Sequence, residues 1–315
     1  MPELPEVTTT VNGINAECKN WVIKNAWTNL ATNKPSRIDF YQTIKYLPYF
    51  KNFVKNTKDQ KIINTKRRGK NILIELENKK TILIHMKMTG HMMVGLYDYV
   101  KKDDKWIIHK DEKNNALYDP FNRFVNFVFI LQKGNKTKHL VLCDARKFAK
   151  VTLLENEQDH KKHLGIHGPE PINPDISLND FIKALDNAPA NSRAIKTLLM
   201  DIRTIAGIGN IYSDEMLFIS NIDPKSIWHK IPKNEKGLLH KAMLKVLKTG
   251  IEFGGDSMSD YRNIYGKRGE FQNNHNAYKK TGQKCNKKLC NGIIKREMIN
   301  SRSSHFCPVH QKLYK

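Results

Sequence analysis

The feature that most constrains the fold is a change of hydrophobic period halfway along the chain. Up to about residue 154, short runs rich in Ile, Val and Leu either alternate or stay apolar, as in "NILIEL" and "RFVNFVFIL". Further on, in "SLNDFIKALDNA" and the segments that follow, apolar residues recur at helical spacing. Strands and helices that are segregated along a chain favour an α+β protein.

The length of 315 residues favours two domains, because single hydrophobic cores stop growing near ~250 to 300 residues. The Pro-rich stretch "GPEPINPDIS", after charged "ENEQDHKKH", predicts a linker between them. A short amphipathic helix begun by Pro5 and Glu6 is the one helical segment expected in the first part. We predict an N-terminal helix and antiparallel β-sandwich over 1–155, a linker over 156–176, a helical domain over 177–265, and a hairpin region over 266–315.

The charge of the chain is strongly positive, with 54 Lys and Arg against 31 Asp and Glu, a net +23. Such a surplus favours a polyanionic partner. A composition rich in Lys throughout is the competing explanation. Between Gly266 and Lys315, however, twelve Lys or Arg face only two acids, so the C-terminal end is a concentrated cationic surface.

Neither a secretion signal nor a run of 18 apolar residues occurs, so we expect an intracellular protein, with nucleus, nucleoid and cytoplasm left open. Three of the five cysteines lie in the last 31 residues, which in a reducing compartment favours metal over disulfides. Cys285, Cys290, Cys307 and His310 form two chelating pairs separated by a hairpin length, the pattern of a structural zinc site. A zinc-free hairpin with incidental thiols is the alternative.

Two stretches suit phosphate. In "IAGIGNIY", Gly207 lets bare backbone approach a ligand, and Asn210 is expected to cap the next helix and keep an amide donor. "RRGKN" places Lys70 at a turn beside two arginines. An ordinary helical hairpin and a solvated turn are the respective alternatives.

Two further stretches place apolar side chains beside turns. In "CDARKFAK", Phe148 lies among cations that include Arg146, as an aromatic wedge for a base stack would. Met88, in "HMKMTGHMM", is either a core filler or a flexible apolar probe. The terminal "MPELPEV", taken alone, predicts only a stiff, frayed tail.

Nine stretches in this order together resemble the formamidopyrimidine-DNA glycosylase and endonuclease VIII family of base-excision repair enzymes. They are "PELPEV", "RRGK", "MKMTG", "DARKF", "GPEP", "IKTLLMD", "AGIGNIYSDEMLF", "GGDSMSDY" and "RSSHFCPVHQ". The resemblance implies an N-terminal helix and two-layer β-sandwich, then a helix-two-turn-helix domain with a zinc-ribbon-like finger. It further implies a monomer that acts on double-stranded DNA containing damaged bases or abasic sites.

The resemblance gives the terminus a catalytic role. Removal of Met1 would leave Pro2 with a secondary amine, and α-amino groups titrate near ~7.7 to 8.0, so a useful fraction is nucleophilic at neutral pH. In the family this amine displaces the base, forms a Schiff base and allows β,δ-elimination. Glu3 matches the proton shuttle, Glu6 a supporting acid, and Lys70 a lysine near the lesion phosphates.

Other positions match residues that contact DNA in the family. The positions that fill the void left by the flipped base are Met88, Arg146 and Phe148. Phosphate contacts match Asn210 and Arg302. Three further residues fall in family motifs, Lys196, Gly207 and Glu215, and we expect the first two of them to contact DNA. The chain departs from the family pattern at four places: Cys-x4-Cys replaces Cys-x2-Cys, His310 stands for the last Cys, Lys87 for a Gly and Ala145 for a Pro.

The predicted substrates are oxidised bases, with formamidopyrimidines and oxidised pyrimidines ahead of 8-oxoguanine. The "PELPE" start favours the formamidopyrimidine branch, whereas the long charged segment over 98–124 resembles the eukaryote-type endonuclease VIII-like branch. A non-catalytic protein that binds damaged DNA is the alternative. It would have no reason to keep Pro2, Glu3 and Glu6 together.

Overall fold

The computed structural model describes residues 1–188 and 192–315 and divides the chain into two compact units. The first contains Met1–His163 and Phe253–Glu270, and the second contains Leu164–Glu252 and Phe271–Lys315. The two-part α+β architecture is therefore confirmed. The segment 253–270, which chain order placed with the helices and the hairpin region, packs within the first unit.

The first unit is built from a long N-terminal helix and antiparallel strands. Its helices and strands are α1 (Leu4–Cys18), β1 (Val22–Thr28), α2 (Leu47–Thr57), β2 (Gln60–Arg68), β3 (Asn71–Leu76), β4 (Thr81–His85), β5 (His91–Gly95), β6 (Tyr97–Val100), β7 (Lys105–Ile108), β8 (Val125–Lys133), β9 (Lys136–Cys143) and β10 (Lys150–Leu154), and helix α3 (Glu157–Leu164) follows at its end. The hydrogen-bonded strand order is β10-β4-β3-β2-β1-β8-β9-β5.

This sheet folds into two layers because β1 and β2 are joined by only two register pairs. One apolar core contains side chains from both halves, such as Ile72 of β3 and Phe129 of β8. Helix α1 adds Val7, Val11 and Ile14 to the same core, at the spacing of one helical face. The predicted sandwich is confirmed, and its core holds the N-terminal helix.

Strands β8 and β9 are apolar on both faces because a second cluster covers their outer side. The hairpin β6–β7 lies in the long charged segment and contributes Tyr97 and Trp106 to that cluster. Trp106 also packs edge-on against Trp27 of β1. A strand covered on both faces produces a continuous apolar run, which accounts for "FVFIL" in the sequence.

The second unit is mostly helical. It consists of α4 (Leu178–Asp186), α5 (Ile195–Met200), α6 (Asn210–Ile219), α7 (Lys233–Glu252), and the hairpin strands β11 (Lys295–Ile299) and β12 (Arg302–Phe306). Ser177 caps α4 as predicted, because its side chain accepts a hydrogen bond from Asp180 N at 3.1 Å. Fully buried Trp228 donates from Nε1 to Asp186 at 2.6 Å, which fixes the end of α4. Among the described residues, no helix has the length and apolarity to cross a membrane.

Two buried histidines should make the first unit sensitive to acid. Burial lowers the pKa values of His91 and His139 to about 4, against 6.5 for an ordinary histidine. As pH falls, the unfolded chain therefore binds these protons at a higher pH than the folded chain does. The free energy of unfolding decreases as pH falls from about 6.5 towards 4. Each histidine contributes about 3 kcal/mol to that loss. We expect urea unfolding at several pH values to show this slope, and His139→Gln to reduce it by about one proton.

Candidate functional site

The residues that follow Met1 are buried. Pro2 is buried, and Glu3 and Glu6 are 3% and 1% exposed. Glu3 is the N-cap of α1, and the two glutamates form a reciprocal capping box in which Glu3 N donates to Glu6 Oε2 at 2.6 Å. The terminus is thus an ordered part of the first unit, with two carboxylates held beside the residue that follows Met1.

Glu6 also binds the segment 253–270 of the same unit. Its Oε1 accepts from Asp256 N at 2.7 Å, and its backbone carbonyl accepts from the Tyr261 hydroxyl at 3.0 Å. Gly255 has φ +88°, and a Cβ there would lie 2.8 Å from Glu6 Cγ. Only glycine therefore lets this loop close over the Glu6 carboxylate.

Lys70 lies in the two-residue turn that joins β2 to β3. Gly69 adopts φ +56°, and the strands resume at the pair Arg68–Asn71. Arg67 donates from a guanidinium nitrogen to the Gly69 carbonyl at 3.2 Å, which braces the turn. The sequence placed Lys70 at such a turn, and the structure holds it half-buried there.

Two of the three side chains predicted to fill a void are unusually exposed for their type. Met88 is 39% exposed and Phe148 is 38% exposed, although both are apolar. The Arg146 guanidinium lies 4.7 Å from the Phe148 ring centroid, a cation–π contact. Neither apolar side chain is core, so the core interpretation is wrong for both.

Sequence reasoning missed the residues that hold these two loops together. The carboxylate of buried Asp144 accepts from the Thr89 hydroxyl, from Arg146 N at 3.2 Å and from Ala149 N at 2.7 Å. Thr89 belongs to the loop that carries Met88, so one carboxylate fixes both. The motif "DARKF" contains Asp144, but nothing in the motif separates its structural role from that of a surface acid.

The sequence analysis also did not identify Lys45, which is distant in sequence from the loop that it contacts. It is buried, donates to the Lys147 carbonyl at 2.6 Å, and places its ammonium 3.7 Å from the Phe40 ring centroid. Burial lowers its pKa to about 8. No local pattern in the sequence predicts a contact across a hundred residues.

In the second unit, the glycine turn opens α6 as predicted, but its cap differs. Gly207 has φ +94°, Gly209 is the N-cap, and Asn210 is the first residue of the helix. The prediction that Asn210 caps α6 is therefore wrong. Its Oδ1 is buried and has no hydrogen-bond partner among the residues that the structure describes, so it caps none of the N–H groups at the start of α6.

Lys196 is buried, contrary to the expectation of a direct DNA contact. It is 1% exposed, its ammonium lies 2.5 Å from Asp214 Oδ1, and it donates to the Ser303 carbonyl at 3.0 Å. The other oxygen of Asp214 accepts from His305 N at 3.0 Å. This network connects α5 and α6 to β12, so Lys196 positions the hairpin from inside the unit.

Glu215 also holds a neighbouring segment of the second unit in position. Its carboxylate accepts from the backbone N–H groups of Asn276, Ala277 and Tyr278 at 2.8 to 2.9 Å. Three such hydrogen bonds to one buried carboxylate fix the loop that donates them.

Arg302 lies at the tip of the β11–β12 hairpin and is exposed. Asn300 and Ser301 form a two-residue turn with φ values of +44° and +61°, the geometry of a type I′ hairpin turn. The tight turn presents the Arg302 guanidinium on a rigid support, which suits a phosphate contact.

The four predicted metal ligands come together. The ligand atoms of Cys285, Cys290, Cys307 and His310 all lie within 4.8 Å of one another. Cys285 Sγ is 3.3 Å from His310 Nδ1, and Cys290 Sγ is 3.7 Å from Cys307 Sγ. A tetrahedral zinc ion with ordinary bond lengths requires edges of about 3.5 to 3.8 Å, so this cluster could bind a metal.

The surroundings of the cluster also suit a metal. His310 Nε2 lies 3.2 Å from the Phe218 carbonyl, which places the ring proton on Nε2 and leaves Nδ1 free as a ligand. Gly292 N donates to Cys290 Sγ at 3.4 Å and lowers the pKa of that thiol. Burial raises the pKa of Cys285 to about 11, so a cation is needed to keep it as a thiolate.

Two family models match most of the chain. The formamidopyrimidine-DNA glycosylase N-terminal domain matches residues 1–151, and the formamidopyrimidine-DNA glycosylase H2TH domain matches residues 167–262. A protein of Prochlorococcus marinus subsp. pastoris named formamidopyrimidine-DNA glycosylase is 31% identical over 332 residues, covering 99% of this chain and 100% of that protein.

Solved structures agree with this match. A Lactococcus lactis Fpg mutant in complex with a Fapy-dG containing DNA has a TM-score of 0.77 and 25% identity, covering 99% of this chain and 100% of that one. The complex between Lactococcus lactis Fpg and an abasic site containing DNA also has a TM-score of 0.77, with 24% identity over 98% of this chain and 99% of that one.

Proposed function

Because the chain belongs to the formamidopyrimidine-DNA glycosylase family, we propose that it is a base-excision-repair DNA glycosylase that removes oxidised bases and then cuts the strand as an AP lyase. The observation that carries the proposal is the buried capping box beside Pro2, which holds two carboxylates at the chain start. A protein that only bound DNA would not need them there.

Pro2 is the proposed nucleophile. Once Met1 is removed, its secondary amine attacks the anomeric carbon, and the base leaves with the electron pair of the glycosidic bond. The nitrogen then loses its proton, and the bond between the anomeric carbon and the ring oxygen breaks as that oxygen is protonated, which leaves an iminium. The iminium withdraws electrons and allows β,δ-elimination of the flanking phosphates. A neutral amine is available near pH 7 because α-amino groups titrate near ~7.7 to 8.0, well below lysine.

Glu3 is the proposed proton shuttle that opens the sugar ring. It lies next to Pro2 in sequence and is the N-cap of α1, so its carboxylate is held close to the amine. Glu6 supports this arrangement, because it fixes the backbone of Glu3 and the loop at Asp256. A carboxylate beside a cationic iminium also stabilises it electrostatically.

The anomeric carbon of a stacked nucleotide is out of reach inside a duplex, so the base must be flipped out at a cost of a few kcal/mol. We propose that Met88, Arg146 and Phe148 fill the space that the base leaves. Their exposure and the Asp144 clamp support this role. Lys70, Asn210 and Arg302 are the proposed phosphate contacts, with Gly207 providing close backbone approach.

Zinc is the proposed metal of the Cys285, Cys290, Cys307 and His310 cluster. Three thiolates and one imidazole form a donor set typical of structural zinc, which has no open coordination position for catalysis. When bound, the ion would fix the hairpin that carries Arg302. The chemistry at Pro2 involves no step at this cluster.

The proposed substrates are formamidopyrimidines and oxidised pyrimidines ahead of 8-oxoguanine. Relatives named formamidopyrimidine-DNA glycosylase and the neighbouring complex with Fapy-dG containing DNA support the first of these. Borohydride trapping on duplexes that carry each lesion opposite each normal base tests both activity and preference. A protein that bound these duplexes and formed no covalent adduct would be the non-catalytic alternative.

Arg302→Ala is expected to weaken DNA binding and leave the fold intact, because its guanidinium is exposed at the hairpin tip. Loss of one phosphate contact should reduce the slope of log K against log salt by about 0.9. Fluorescence anisotropy between low and moderate salt measures that slope. Arg296→Ala, an exposed change on β11 of the same hairpin, is the control; an equal reduction there would remove Arg302 from the phosphate grip.

A further inference from the structure

A cavity of about 250 Å³ lies on one face of strands β3, β4 and β10 in the first unit. A row of neighbouring residues forms its base, with Asn71 paired to His85 and His85 paired to Lys150. Gln42 and His163 line its sides from the loop before α2 and from α3. The base of this cavity is therefore set by strand register, which makes it a rigid feature of the sheet.

Lys87 lines the same cavity in an unusual conformation. It follows β4 with φ +56°, in the left-handed region that favours glycine, and is half-buried. Within the described residues, no carboxylate or carbonyl accepts a hydrogen bond from its ammonium. Burial, followed by the charge of Lys150, lowers its pKa. A strained backbone and a partly desolvated, unpaired cation are two costs at one residue, and such costs persist where a site requires them.

The other charges around the cavity leave a positive surplus. Asp39 is the one carboxylate among the described lining residues, and it is already shared. Its Oδ2 lies 2.5 Å from the Lys150 ammonium, and its Oδ1 accepts from Arg37 Nε at 3.0 Å. Nothing in the lining therefore balances Lys87.

Neutral donors complete the lining. His85 Nδ1 accepts from Lys87 N at 3.0 Å, which places the ring proton on Nε2 and fixes the imidazole against the backbone of Lys87. Gln42 Oε1 accepts from Lys162 at 2.9 Å, which orients the amide and adds a further cation beside the cavity. Cations and N–H donors from several elements suit an oxyanion with more than two acceptor oxygens better than a carboxylate.

We propose that this cavity binds a phosphate group, with Lys87 as its principal cation and Lys150 as the second. The inference rests on the cavity and its charges, and it does not require the chemistry proposed for Pro2. The phosphate belongs either to a nucleic-acid backbone or to a free phosphate compound. Both present the same oxygens to Lys87, so the experiment has one arm for each source.

Lys87→Gly is the decisive variant because glycine accepts the left-handed conformation, so the change removes the ammonium without adding backbone strain. Lys79→Gly is its matched control. Lys79 also has a positive φ of +66°, is exposed, and lies in the β3–β4 turn outside the cavity. Asp39→Asn is the converse change, since it removes the competing carboxylate and should tighten binding.

In the first arm, inorganic phosphate is titrated into the full-length protein and followed by phosphorus NMR and calorimetry. Saturable binding is expected for the unmodified protein and for Lys79→Gly, and binding about tenfold weaker or more for Lys87→Gly, because a charge-assisted contact is lost. In the second arm, a duplex with a non-cleavable abasic analogue is bound at several salt concentrations. A backbone phosphate in the cavity makes the salt slope shallower by about 0.9 in Lys87→Gly.

A difference between Lys87→Gly and Lys79→Gly in the first arm alone identifies a free phosphate compound as the ligand. A difference in the second arm alone identifies the DNA backbone. Equal behaviour of the two variants in both arms overturns the proposal. Neither arm involves catalysis, so a failure of the proposed glycosylase chemistry would appear in borohydride trapping and not here.

Discussion

One extra residue ahead of Pro2 is expected to abolish covalent trapping on abasic DNA and to slow strand cleavage by at least about three orders of magnitude. The extension converts the Pro2 amine into an amide, whose nitrogen pair is delocalised and is no longer nucleophilic. The capping box between Glu3 and Glu6 is complete with Met1 ahead of Pro2, so an added residue should leave the fold of the terminus intact and remove only the amine. Borohydride reduction followed by denaturing electrophoresis measures the adduct.

The controls separate chemistry from folding. The same residue added after Lys315 should leave trapping unchanged, and both extended proteins should bind a non-cleavable duplex with similar affinity. Pro2→Gly keeps a primary amine and is expected to retain weak trapping. Glu3→Gln keeps the amine but loses the proton shuttle, so base release should slow by about 10²- to 10⁴-fold. Full cleavage by the N-terminally extended protein would rule out Pro2 as nucleophile.

Cys290→Ser is expected to remove the metal and unfold the hairpin. Structural zinc contributes about 10 to 16 kcal/mol of apparent binding energy in zinc-finger peptides, and here that energy would fix a polar segment with little core. Cys290 is half-buried and packs against the edge of the cluster around Phe218, so replacing its sulfur by oxygen removes a metal ligand with little change in side-chain volume. Metal analysis should find about one zinc per unmodified chain, and DNA affinity should fall by at least about tenfold in the variant.

Cys18→Ala is the matched control for this experiment. Cys18 is a buried thiol in the core of the first unit, and its removal should cost stability without changing metal content. Chelator treatment of the unmodified protein should reproduce the effect of Cys290→Ser on DNA binding. Less than half an equivalent of zinc in the purified protein would favour a hairpin held by its own strand pairing.

Local chemistry was sufficient to predict much of the site. The helix at the terminus, the turn at Lys70 and the hairpin with its four ligands each lie within a short stretch of chain, where spacing limits geometry directly. The Cys and His pairs come together because a two-stranded hairpin must return along itself, and the structure places all four ligand atoms within 4.8 Å. The strand pattern likewise predicted the sandwich, because side chains that alternate along strands must share one core.

Long-range contacts escaped prediction. Lys45 reaches the Lys147 carbonyl, Asp144 clamps the loop of Thr89, and the segment 253–270 returns to cover Glu6. Hydrophobic period encodes which face of an element is buried and says nothing about which distant polar group it meets. Lys196 is the clearest case. Its place in a family motif predicted a DNA contact, whereas its burial against Asp214 gives it an internal role.

The sequence by itself determined the order of the elements and indicated the proposed nucleophile and metal ligands, because each depends on residue type and spacing along the chain. The tertiary structure decided which charges are available to a ligand. Desolvation and ion pairing act between residues that only folding brings together, so Lys196 is neutralised inside its unit while Lys87 is left unpaired at a cavity.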